Sequence, residues 1–159
     1  MHMQNRAPAS FAGEITRPDE TVVESAFLNP EKAPEHFGVP VKMVNGKLEK
    51  LDVGDTAPYG VLARVAPSIA DGDKPNPQQA QSVVVRGYIA VDCSNAGQPP
   101  RGGQVYFRKN MAGSESAQQP GAWAAKANGQ NFVPYTGAIW SLQNKDLTNW
   151  RIAEMRIGI

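Results

Sequence analysis

The sequence predicts an all-β protein: a compact β-barrel or β-sandwich of short antiparallel strands, jelly-roll-like or tulip-like, preceded by an extended N-terminal arm. Three observations carry this reading. Apolar residues alternate with a period of two over short runs, and no stretch sustains a helical period. The chain holds 15 Gly and 13 Pro in 159 residues, well above the ordinary share of about 12% for the two together. Two Asn-Gly dipeptides, at 45–46 and 128–129, sit between apolar runs, where a type I′ hairpin turn needs two left-handed residues.

Taken in order, residues 1–20 read as the arm and residues 21–159 as a single β-rich domain. The arm carries Pro8, Gly13 and Pro18, with Phe11 and Ile15 spaced singly among small residues. A purely solvated tail seldom carries such side chains, so they read as anchors for another protein's surface, with Glu14 and Arg17 as rim charges. Residues 21–28 (TVVESAFL) are expected to be extended, and Pro30, Pro34 and Pro40 exclude a helix after them. Residues 39–44 and 47–51 flank the first Asn-Gly as a hairpin. Tyr59, Val61, Ala63 and Val65 form one apolar face of the next strand, with Arg64 on the other.

The strongest strand signal is 83–92, where Gly87 in the middle marks a bulge or a close backbone approach. Residues 104–109 alternate again. Residues 122–126 and 130–133 flank the second Asn-Gly as another hairpin, and 137–143 form a further strand with Trp140 and Leu142. In the last run Trp150 and Ile152 occupy even positions, whereas Ala153, Met155 and Ile157 occupy odd ones. A bulge near Ala153 or Glu154 would bring both sets to one core face.

Composition argues against several classes of function. A formal charge of +1 supplies no basic field for a nucleic-acid backbone, and no apolar run approaches the ~20 residues that span a bilayer. Synthesis and retention in the cytosol are expected, because no signal peptide is evident and Cys93, the single cysteine, has no partner for an internal disulfide. Enzymatic chemistry lacks its parts: His2 and His36 are the two histidines, and no nucleophile motif accompanies them. Asp71 and Asp73 open like a calcium loop without its closing Glu. Gly102-Gly103 precedes a strand and lacks the Lys-Ser/Thr of a phosphate cradle. No catalytic residue, cofactor or metal is therefore expected. Trp123, Trp140 and Trp150 fall on separate strands and read as core or oligomer interface, with Trp140 and Trp150 assigned to the interface.

Five collinear stretches then resemble one family: FAGEITRP (11–18), FGVPVKMVNGKLEKLDVGDTAPYGVLARV (37–65), VVVRGYIAVDC (83–93), RGGQVYFR (101–108) and the terminal strand. Together they resemble the structural cement, or head decoration, proteins of tailed bacteriophages. The resemblance implies a non-catalytic virion protein, assembled in the host cytoplasm, that binds the capsid exterior and stabilises the shell by bridging major capsid subunits. It also implies a homo-oligomer, a trimer in preference to a dimer. Phe11, Ile15, Arg17, Val22, Val23 and Phe27 then become candidate capsid-binding residues, with residues 21–27 adding a strand to a capsid edge. Two alternatives remain at this point, a carbohydrate-binding β-sandwich on the virion and a tail or baseplate component.

Overall fold

The computed structural model describes residues 11–52, 54–65, 74–93, 99–108, 123–126, 132–141 and 152–158. They form nine strands: β1 (Val22–Ala26), β2 (Pro40–Val44), β3 (Lys47–Lys50), β4 (Gly60–Ala63), β5 (Gln81–Asp92), β6 (Gln104–Arg108), β7 (Trp123–Ala124), β8 (Phe132–Trp140) and β9 (Ile152–Ile157). The single helical element among the described residues is a 3-10 turn, Pro18–Glu20. Every strand pair is antiparallel, in the order β3-β2-β4-β5-β9-β8-β6-β7, with β1 also on β5. The sheet curls into a half-barrel, and the fold is all-β.

Local chemistry places the first hairpin. Asn45 and Gly46 take φ of 50° and 78°, the left-handed pair of a type I′ turn, and set Val44 opposite Lys47. β5 is long enough to serve two neighbourhoods, pairing with β4 and β1 along its first half and with β9 along its second. Its turning point is Gly87, at φ 117°. A Cβ there would meet the Thr21 Cα at 2.5 Å, so the close approach foreseen at this glycine is made by the residue that leads into β1.

Burial is two-sided. The main core gathers Phe107, Trp123, Tyr135, Trp140, Met155 and Ile157 with Val61 and Val84. A second cluster of Leu28, Val39, Val41, Leu48, Leu62 and Val83 lies apart from it. Neighbours in sequence, Val61 and Leu62 or Val83 and Val84, thus point into different cores, and all four residues of β4 are buried. The single apolar face expected for this strand is corrected to two. Val65, expected on that face, is 67% exposed.

Two further expectations change. β9 has no bulge: its ladder with β5 runs unbroken from Ile152↔Asp92 to Ile157↔Gly87. Ala153, Met155 and Ile157 face the main core, while Ile152 packs with Ala90 beneath Ala12. The out-of-phase apolar residue is covered by the N-terminal segment instead of being swung inward. β8 is one strand where the sequence suggests two separate runs, and its ladder with β6 shifts between Gln104↔Ile139 and Tyr106↔Pro134. The Gln104 amide donates to the carbonyls of Tyr135 at 2.8 Å and Ala138 at 3.3 Å, serving backbone acceptors that the shifted ladder leaves over. The second Asn-Gly, Leu142, Trp150 and residues 1–10 lie outside the described residues.

Residues 11–20 are hydrogen-bonded to the sheet. Gly13 N–H donates to the Ala90 carbonyl at 2.8 Å, Ala90 N–H to Glu14 at 2.9 Å, and Arg64 N–H to Gly13 at 2.8 Å. Ile15 bridges Ile89. The segment is held like an extra strand.

Candidate functional site

The sequence of β1, VVESA, is rich in residues that suit a pleated backbone, yet four of its five residues are exposed. The cause is its place in the sheet. Among the described residues β1 pairs with β5 alone, so its outer edge presents backbone donors and acceptors to solvent. The register shifts by one residue between Val22 and Val23, next to the bend at Gly87. Val22 is 50%, Val23 38% and Phe27 52% exposed. Val22 and Val23 lie on the open edge itself, the combination that edge-to-edge association uses, and Phe27 follows where the chain turns to bond Leu48.

Tyr59 stands beside this strand, 40% exposed, and its hydroxyl donates to the Glu24 carboxylate. That hydrogen bond to a carboxylate holds the phenol above its ordinary pKa. The pair ties the middle of β1 to the segment entering β4. Sequence reasoning did not find Tyr59, because its partner lies 35 positions away and no local spacing links them.

The other candidate residues are engaged within the chain. Phe11 is half-buried with the Arg64 guanidinium 5.7 Å from its ring centroid, and Phe37 stands at the same distance from that guanidinium. Ile15 packs against the main core. Arg17, expected as a rim charge, donates to the Glu154 carboxylate at 2.9 Å and lies 3.9 Å over the Tyr88 ring. Glu154 is fully buried and accepts a second hydrogen bond from Ser141 Oγ at 2.7 Å. Trp140 is wholly enclosed by its own core, which leaves no indole surface for a second copy; Trp150 is outside the described residues. Trp123 is also core, its Nε1–H donating to the Gly38 carbonyl at 2.7 Å.

Among the described residues no group of three or more His, Cys, Asp or Glu is placed to hold a metal ion, and Cys93 is buried.

Comparison with known proteins follows the same line. No curated protein matches the chain. A chain from a solved structure described as "The capsid of Myoviridae Phage XM1" superposes with a TM-score of 0.68 at 18% identity, covering 99% of this chain and 94% of that one. That likeness shows a shared fold. The family model "Structural cement protein (E217 gp24/Pam3 gp6)" matches residues 2–158, nearly the whole sequence. On that match, the chain belongs to the structural cement protein family.

Proposed function

We propose that this protein decorates the outside of a tailed-phage head and stabilises the shell by joining neighbouring major capsid subunits, without catalysing a reaction. The observation that carries the reading is β1: an edge strand with an open side, bearing exposed Val22 and Val23 and followed by exposed Phe27, on a chain of the cement family. A strand of the capsid protein laid along this edge gains main-chain hydrogen bonds, and the exposed apolar side chains supply contact area. The similar chain from a solved phage-capsid structure supports the same reading.

Cementing of this kind is mass action. A protein that binds only the assembled shell stabilises it by RT ln(1 + [L]/Kd) per site, about 4 kcal/mol at a thousandfold excess over Kd. In this reading the protein acts as a symmetric homo-oligomer, a trimer in preference to a dimer, so that each docked edge raises the effective concentration of the others.

The test uses expanded capsids lacking the protein. Wild type is expected to co-sediment with them, and a Val23→Asp/Phe27→Asp variant of unchanged melting temperature to bind about tenfold more weakly or worse. Equal occupancy by the variant removes β1 from the docking surface. Indifference of the wild type to capsids removes the function.

A further inference from the structure

A second surface lies at the N-terminal end of β1 and is charged rather than apolar. Its centre is Tyr88 on β5, paired across the ladder with Arg156 on β9, which is itself paired with Ile139 on β8. Two clefts meet at this Tyr88–Arg156 pair. One, of about 290 Å³, is lined by Glu20, Arg86 and Arg156; the other, of about 160 Å³, by Arg17, Arg101 and Arg156. Four arginines thus line two clefts that share one tyrosine.

Arg17 is matched by Glu154. Arg86, Arg101 and Arg156 form no ion pair among the described residues, and Glu20 joins none of them although it lines the larger cleft. Four positive and two negative groups leave a local excess of two charges, in a chain whose total is +1. Like charges gathered in a cleft repel one another, and nothing described in the fold neutralises them.

The arrangement is also held in place. Arg156 sits in a strand laddered on both sides. The stem of Arg86 lies against Gly158, where an added Cβ would come within 2.8 Å of its Cγ. The planar fork of a guanidinium matches a carboxylate two bonds at a time.

We propose that this arginine cleft receives Asp or Glu side chains from the same partner protein that docks on β1, an inference that rests on the capsid-binding reading above. Register connects the two surfaces: Val22, the first residue of β1, is paired with Arg86. A partner strand running along the β1 edge reaches the cleft at its end. Apolar contacts and ladder bonds hold the strand, and the carboxylates fix its register. A nucleic-acid phosphate fits less well, because a backbone needs a track of positive charge, whereas these clefts hold one or two side chains.

The experiment compares wild type with Arg86→Ala/Arg156→Ala, a variant that leaves the Arg17–Glu154 pair and all of β1 intact, on capsids and with soluble probes. Hexaglutamate is expected to shift the NMR signals of Arg86, Tyr88 and Arg156. Its affinity should fall about tenfold in the variant, and capsid occupancy should fall with it and with added salt. If hexaglutamate leaves those signals unmoved, or binds the variant as it binds wild type, the cleft is not a carboxylate site. Tighter binding of oligothymidylate than of hexaglutamate overturns it in favour of nucleic acid. Capsid binding that is unchanged in the variant overturns the second grip while leaving the β1 reading intact. Arginine-dependent hexaglutamate binding by a protein that ignores capsids sinks the capsid reading and keeps the acid-binding cleft.

Discussion

Arg17 shows how far a residue's role can lie from its local sequence. Its short-range context, between Ile15 and Pro18, suggests an exposed charge, but its partner Glu154 is 137 positions away and fully buried. Losing Arg17 takes a charged donor from a carboxylate that is 1% exposed, at a cost of about 1–3 kcal/mol. Arg17→Ala is therefore expected to lower the urea midpoint strongly, and Arg17→Ala/Glu154→Gln to recover part of the loss. A single variant that unfolds with wild type would show that the pair contributes little. Tyr135 carries a second prediction. Burial raises its phenol from 10.0 to about 12, so the folded state favours the neutral form. That contribution is complete below pH 10, where the unfolded phenol is also neutral, and is lost as pH rises toward 12. The stability lost over that window through this group is about 2 kcal/mol. Alkaline denaturant titrations of wild type and Tyr135→Phe should diverge there, with the variant holding its stability. By contrast, Val22, Val23 and Phe27 were legible as an extended apolar run, because edge exposure leaves such a strand's own pattern undisturbed.

Strands were readable where their cause is local and opaque where a distant segment supplies it. The Asn45-Gly46 hairpin depends on two adjacent residues, and Gly87 announced a close contact by its mere place in a β-branched run. The Gln104 side chain bonds β8 carbonyls where the ladder shifts, and Ala12 covers the second face of β9. Neither influence leaves a trace within the strand it shapes. The two glycines differ in a way that can be measured. At Gly46 nothing lies within 4 Å of an added Cβ, so Gly46→Ala carries only the left-handed backbone strain, about 1 kcal/mol. At Gly87 the same methyl meets the Thr21 backbone as well, and Gly87→Ala is expected to cost about 2 kcal/mol or more. Denaturant midpoints that rank the two variants in the opposite order would mean that Thr21 moves aside freely, loosening the junction into β1.

At the scale of the whole molecule, the N-terminal segment unites the sheet. It bonds to β5 through Gly13 and Glu14, reaches the residue after β4 through Arg64, and clasps β9 through Arg17. Removing residues 1–20, and these bonds with them, is thus expected to lower the melting temperature by roughly 4 °C or more, the shift that about 1–2 kcal/mol gives a domain of this size. A truncated protein that melts with wild type would mean that this segment adds nothing to the fold. The same clasp has a consequence for biosynthesis. Glu154 is synthesised 137 positions after Arg17, and until it and Ile152 emerge from the ribosome the segment at 11–20 has no buried carboxylate to grip and no isoleucine to cover. The strand that follows it, β1, consequently reaches its finished setting only after β9 has been made, so a chain that stops before β9 would carry a poorly formed edge.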